Sequence, residues 1–157
     1  MAGGIKIKEE EVTRQIIKWL VDNGWDIICF DFPQSGTGRT LHPSNTSSKT
    51  EGIIIPDIVA YRNGVVIDFE NKDRFVFSDF EKIKFLRNTK EYDDAWSNLL
   101  IGHQYNHIYY GIGMPYSESN YRKAESNSEM VDFIVFVKDD GEILLTGNIG
   151  GSSNDKK

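Results

Sequence analysis

Two carboxylates and a lysine lie on either side of a tight-turn signal. Asp57 precedes the dipeptide Asn63-Gly64, and Glu70 and Lys72 follow it. Asn-Gly is the strongest short signal for a two-residue hairpin, because a type I′ turn needs positive φ at both central residues. In that hairpin Asp57 stands opposite Glu70, and residues directly opposite on an antiparallel pair share one face. The spacing therefore predicts two facing carboxylates.

Side-chain alternation assigns the remaining residues of the hairpin to its two faces. Asp68 and Lys72 point to the face of Glu70, and the other face carries apolar side chains, namely Ile58, Ala60, Val65, Ile67 and Phe69. Facing carboxylates repel each other unless a cation lies between them. Mg²⁺ takes hard oxygen ligands, commonly one or two carboxylates. We therefore expect a Mg²⁺ site here, with Lys72 close enough to orient a water or neutralise a phosphate.

The alternative is a solvated face of an antiparallel sheet, which also carries charged residues. The apolar run at residues 53–60 favours a strand that is buried on both faces. A carboxylate within such a run needs a partner or a metal.

Pro56-Asp57, followed after the turn by Glu70-Asn71-Lys72, resembles the motif of the PD-(D/E)XK nuclease superfamily. This superfamily includes type II restriction endonucleases and archaeal Holliday-junction resolvases. The resemblance implies that Asp57 and Glu70 bind Mg²⁺ together with the backbone carbonyl of Asn71. It also implies that Lys72 positions or helps to activate the attacking water.

The first helix is predicted at residues 8–23, because apolar residues recur there at helical spacing and Gly24 follows as a stop. It opens with Glu9, Glu10 and Glu11, and acidic residues in a first turn also favour the helix dipole. The resemblance implies that a glutamate on this helix completes the metal site. Glu10 is the expected residue, with Glu9 and Glu11 as alternatives.

Residues 32–50 form a long loop that is rich in Gly, Ser, Thr and Pro and contains Arg39, His42 and Lys49 but no acid. Long loops in compact domains are usually functional or disordered. These three basic residues suit contacts with phosphates or bases, although a plain flexible loop fits as well. The glycines of this loop are not followed by Gly-Lys-Ser/Thr, so no nucleotide cofactor is expected.

Arg74 and Lys82 follow the strand that carries Glu70 and are placed to meet a DNA backbone. For Lys82, a solvated helix face is the simpler interpretation. A capping box from Ser78 to Glu81 predicts the start of this second helix. The helix extends towards Leu100 or divides into two near Asn88.

The predicted elements give an α/β fold. Strands are expected at residues 25–32, on both sides of the Asn-Gly turn and at residues 106–113. The order matches the αβββαβ core of the restriction-endonuclease-like fold, which has a mixed central sheet flanked by helices. Residues 131–137 and 142–146 add a C-terminal hairpin. Residues 1–150 are expected to form one domain, and residues 151–157 a disordered tail.

The composition is that of a globular protein, with 157 residues, 39% hydrophobic, and a net charge of −6. The negative charge counts against a nonspecific nucleic-acid binder, but a metal-dependent nuclease needs local carboxylates. No apolar run is long enough for a membrane span, and the start lacks the apolar region of a secretory signal. The single cysteine, Cys29, excludes an internal disulfide. We expect a cytoplasmic protein without a membrane association.

The expected function is a Mg²⁺-dependent DNA endonuclease that hydrolyses phosphodiester bonds, most like a type II restriction endonuclease. Its substrate would be double-stranded DNA. A homodimer is expected, because cutting both strands requires two sites. One alternative is a Holliday-junction resolvase or DNA-repair nuclease. A second alternative is a catalytically inactive nuclease-fold module that binds DNA.

Overall fold

The computed structural model describes residues 7–32, 38–44 and 52–150. Lys49 and residues 151–157 lie outside the described residues, so the expected nucleic-acid contact of Lys49 and the expected disordered tail stay predictions.

The described residues form four α-helices and six strands. The helices are α1 (Glu9–Asp22), α2 (Phe77–Asn88), α3 (Asp93–Leu99) and α4 (Glu118–Ser126), and a 3-10 turn follows at Ser128–Met130. The strands are β1 (Asp26–Phe30), β2 (Ile58–Arg62), β3 (Val65–Asn71), β4 (His107–Pro115), β5 (Phe133–Val137) and β6 (Ile143–Gly147). None of the helices in the described ranges is both long and apolar enough to pass through a bilayer.

The strands form one mixed sheet in the order β1-β2-β3-β4-β5-β6. Strands β1, β2 and β3 are antiparallel neighbours. Strands β3, β4 and β5 are parallel, and β6 returns antiparallel to β5. The predicted α/β class with a mixed sheet is confirmed. The C-terminal hairpin is also confirmed, and it extends the central sheet by pairing with β4.

The hairpin of β2 and β3 has the predicted register. Asn63 and Gly64 have φ values of 51° and 84°, as a type I′ turn requires. Arg62 pairs with Val65, and Ala60 pairs with Ile67. This register sets which side chains of the hairpin face each helical layer.

Helices cover both faces of the sheet. The predicted apolar face packs against α1, where Val12, Ile16 and Leu20 are buried. The opposite face, which carries Asp68 and Glu70, packs against α2, α3 and α4. Asp68 and Glu70 are only 3% and 8% exposed, so the carboxylate face is not a solvated surface.

The capping-box prediction for the second helix is wrong. Helix α2 begins at Phe77, its N-cap is Val76, and no side chain caps it. Ser78 and Glu81 therefore lie inside the helix. Packing fixes this start, because Phe80 is fully buried and its ring lies 5.1 Å from that of Phe75. Of the two alternatives, one helix as far as Leu100 or a division near Asn88, the structure shows the division, because α3 is a separate helix.

Phe80 and Phe85 give a matched test of the packing of α2 against the sheet. Phe80 is 0% exposed and Phe85 is 50% exposed on the same helix. Phe80→Ala should lower the free energy of unfolding by about 3–5 kcal/mol, because it leaves a cavity in the core. Phe85→Ala should change it by about 0.5 kcal/mol or less. Denaturant unfolding of both variants measures this, and equal losses would contradict the packing described here.

Candidate active site

The candidate site lies at the edge of the sheet where β3 ends. Asp57 comes directly before β2, Glu70 lies near the end of β3, and Lys72 follows that strand. Because β2 runs antiparallel to β3, the start of one strand lies beside the end of the other. The N-terminal end of α1 reaches the same edge, where Thr13 contacts Asn71.

Backbone and side-chain hydrogen bonds fix Asp57 and Asn71. The Asp57 N–H donates to the carbonyl oxygen of Phe69 at 3.1 Å. One carboxylate oxygen of Asp57, Oδ2, accepts the Asn71 N–H at 2.7 Å. The Asn71 side-chain amide in turn donates to Oγ1 of Thr13 at 3.0 Å. These bonds join β2, β3 and α1 immediately behind the carboxylates.

Glu70 lies between two lysines. The Lys72 Nζ lies 3.2 Å from Oε2 of Glu70, and the Lys82 Nζ lies 3.0 Å from Oε1. Lys72 also approaches Oδ2 of Asp79 at 3.6 Å. Helix α2 thus contributes Asp79 and Lys82 to the site.

Sequence reasoning missed Asp79 and favoured a surface role for Lys82. A signal for both was present, because residues three apart on a helix share a face. Their helix directly follows the strand of Glu70 and Lys72. The sequence did not indicate which face of α2 turns towards the end of β3.

The electrostatics of the site disfavour a second negative charge in the absence of a cation. Burial, followed by the charge of Glu70, raises the pKa of Asp57 to about 7, although the Asn71 N–H opposes this shift. Burial also raises the pKa of Asp79, and Lys72 opposes that shift. Burial alone would lower the pKa of Lys72, but Glu70 and Asp79 outweigh it and the pKa is raised. Lys72 is therefore an ammonium ion at neutral pH.

Asp68 is a further carboxyl behind the site. Burial and then the charge of Glu70 raise its pKa well above the ordinary value. Its Oδ1 atom has no hydrogen-bond partner within the described residues. Asp68 therefore adds to the excess of acidic groups on this face.

The structure brings Glu9 rather than Glu10 to the site. Glu10 forms an ion pair with Arg14 at 2.6 Å, and half of its side chain is exposed. Burial raises the pKa of Glu9, and the charges of Lys72 and Glu70 also act on it. The reason is helical geometry, since Glu9 lies one turn before Thr13, the residue that contacts Asn71. Of the three candidates, Glu9 is therefore the one whose charge interacts with the site, and the metal-binding role expected of Glu10 stays a prediction.

Two of the expected nucleic-acid residues, Arg39 and His42, lie on the α3 side of the sheet. They line a cavity of about 340 Å³ together with Asp94 and Asn98. The adjacent Gly38 N–H donates to Oδ1 of Asp31 at 3.1 Å.

Hydrogen bonds connect the segment that contains Gly38 and Arg39 to the carboxylate site by way of Asp31. The Asp31 N–H donates to the carbonyl oxygen of Asp57 at 2.9 Å. Arg74, the remaining expected contact, lies two residues after Lys72, pairs with Asp73 at 2.7 Å and is 67% exposed.

The donor set of the site fits a hard divalent cation. Within the described ranges, no three His, Cys, Asp or Glu side chains form a ready-made metal cluster. Asp57 and Glu70 nevertheless supply two buried carboxylates. Mg²⁺ commonly binds one or two carboxylates and completes its shell with waters and substrate oxygens.

Comparisons with protein-family models, with curated proteins and with solved structures found no match. The proposals that follow therefore depend on the residues of this chain.

The raised pKa of Asp57 predicts a pH-dependent loss of stability. A carboxyl whose pKa is higher in the folded than in the unfolded protein destabilises the fold as pH rises between the two values. In the absence of divalent cations, the free energy of unfolding should therefore fall between the ordinary pKa of 3.8 and about 7. Asp57→Asn should remove this component and be more stable than the wild type at pH 8, by at least about 1 kcal/mol.

Denaturant unfolding in EDTA at pH 4.5 and pH 8 measures this difference. Asp139→Asn, at an exposed turn carboxylate, serves as the control and should follow the wild type at both pH values. An Asp57→Asn stability curve parallel to that of the wild type would contradict the assignment of the shift to Asp57.

Proposed function

We propose that this protein is a Mg²⁺-dependent endonuclease of the PD-(D/E)XK type that hydrolyses phosphodiester bonds in double-stranded DNA, most like a type II restriction endonuclease. The observation that carries the proposal is the convergence of Asp57, Glu70 and Lys72 at one sheet edge. The Asn71 N–H fixes the first of these carboxylates at 2.7 Å.

The arrangement of the elements supports the proposal. Helix α1, the antiparallel strands β1 to β3, helix α2 and the parallel strand β4 follow one another in the order of a restriction-endonuclease-like core. Helix α3 is inserted before β4. Helix α4 and strands β5 and β6 are additions to that order.

Asp57, Glu70 and the backbone carbonyl of Asn71 would hold the cation. When bound, Mg²⁺ lowers the pKa of a coordinated water and stabilises negative charge in the displacement at phosphorus. Asn71 is fully buried at the end of β3, so its backbone carbonyl, the proposed metal ligand, is held in place by the sheet. Burial of both carboxylates strengthens their interaction with a cation, because water screens it less.

Lys72 orients the nucleophile in this proposal. Its pKa is raised, so it is a hydrogen-bond donor and a positive charge rather than a base. Asp79 and Glu70 hold its ammonium group from two sides, at 3.6 and 3.2 Å. A water at this ammonium would lie beside the carboxylates, where a phosphate can approach from solvent.

Arg74 and the Arg39–His42 segment would contact the DNA. Arg74 is exposed two residues after Lys72 and suits a backbone phosphate. Arg39 and His42 line an open cavity further along the same face. A homodimer would place two such sites on the two strands of a duplex.

The proposal is tested by incubating the protein with plasmid DNA and with a four-way junction, in Mg²⁺ or in EDTA. We expect discrete plasmid fragments that require Mg²⁺. Lys72→Ala should reduce the rate by about 100-fold or more, because the group that positions the water is lost. Lys84→Ala, at an exposed lysine of α2, should retain activity.

The other outcomes separate the alternatives. Cleavage of the junction alone would indicate a resolvase and contradict the restriction-type assignment. Cleavage that survives Lys72→Ala would contradict the site. No cleavage of either DNA would contradict the nuclease and favour an inactive DNA-binding module.

A further inference from the structure

Both carboxylate oxygens of Glu70 contact lysine ammonium groups, which a divalent cation would have to compete with. Lys72 occupies Oε2 at 3.2 Å and Lys82 occupies Oε1 at 3.0 Å. A carboxylate oxygen bound to Mg²⁺ lies about 2.0–2.1 Å from the ion. An ammonium group in contact with the same oxygen would then be strongly repelled by the ion. Binding of Mg²⁺ to Glu70 therefore competes with the ammonium groups of the two lysines.

The two lysines differ in how firmly they are held. Lys72 directly follows the strand of Glu70, contacts both Glu70 and Asp79, and has a side chain that is 28% exposed. Lys82 reaches Glu70 from α2, and its side chain is 37% exposed. Within the described residues, Lys82 forms an ion pair with one carboxylate, that of Glu70. Lys82 is therefore the lysine that can leave with the smaller loss of contacts.

The negative charges at the site favour the ion pair between Lys82 and Glu70 before a cation binds. Asp57 and Asp68 are buried carboxyls on the same face of the hairpin as Glu70, and the carboxylate of Asp79 lies 3.6 Å from Nζ of Lys72. An ammonium on Glu70 reduces the repulsion within this group. Once a divalent cation supplies that positive charge, Lys82 is no longer needed as a counterion.

We propose that Lys82 is an exchangeable counterion of Glu70: it pairs with the carboxylate until a divalent cation binds there, and it then contacts a backbone phosphate of the DNA. This inference rests on the proposed nuclease function and adds a substrate-binding residue to it. The long, flexible lysine side chain on α2 allows both positions, because it is already partly exposed to solvent.

The first test is titration of the protein with Mg²⁺ alone by calorimetry. Lys82→Met should bind Mg²⁺ at least about threefold more tightly than the wild type, because a competing cation has been removed. Lys82→Arg, which keeps the positive charge, should bind close to the wild type. Lys84→Met, on the same helix but exposed, is the matched control and should also bind close to the wild type.

The second test is binding of a short DNA duplex by fluorescence anisotropy, in EDTA and in Ca²⁺, a cation that also takes oxygen ligands. Lys82→Met should weaken binding at least about threefold in Ca²⁺, where the wild-type lysine is released to a phosphate. In EDTA the variant and the wild type should bind alike. Lys84→Met should show no such dependence on the cation.

The results distinguish a failure of this inference from a failure of the proposed function. If the wild type binds Mg²⁺ and Lys82→Met binds it no more tightly, the exchange is contradicted while the nuclease proposal stands. If Lys82→Met weakens DNA binding equally in EDTA and in Ca²⁺, the lysine is a constant phosphate contact and the exchange is again contradicted. If the wild type binds no Mg²⁺ at all, both proposals fail.

Discussion

The repulsion between the buried carboxylates of Asp57 and Glu70 is the constraint on which the arrangement of the site depends. The hairpin places the two side chains on one face of the sheet, and burial makes their charges costly. The surrounding residues reduce that cost. Asn71 donates a backbone hydrogen bond to Asp57, and Lys72, directly after β3, and Lys82 on α2 neutralise Glu70. The same excess of negative charge suits a divalent cation, so one constraint accounts for both the lysines and the proposed metal site.

Three elements meet at the site, namely the β2–β3 hairpin, helix α1 and helix α2. Helix α1 contributes Thr13, whose hydroxyl holds Asn71. Helix α2 is fixed by the buried ring of Phe80, and its adjacent residues Asp79 and Lys82 then reach Lys72 and Glu70. Packing on the two faces of the sheet thus determines which polar groups reach the site.

Much of the fold was predictable from local signals, whereas the helical residues of the site were not. Asn63-Gly64 favours one turn geometry. The register of β2 and β3 followed from that turn, and the register places the carboxylates on one face of the hairpin. The rotation of a helix about its axis depends on tertiary packing, so the sequence left Glu9, Glu10 and Glu11 as alternatives. Glu9 is the one whose charge acts on Asp57 and Lys72. The same reason explains why Asp79 was missed, and why the Ser78–Glu81 capping box did not form.

In the proposed mechanism, the two carboxylates bind Mg²⁺ for the cleavage of DNA. The most direct measurement is the rate of plasmid cleavage as Mg²⁺ is titrated, compared between the wild type, Glu70→Gln and the exposed control Asp139→Asn. Activity should rise with Mg²⁺ in the wild type and the control. It should be nearly lost in Glu70→Gln, which keeps the size of the side chain but not its charge, and this loss is expected from the proposed mechanism. Equal activity of Glu70→Gln at every Mg²⁺ concentration would contradict it.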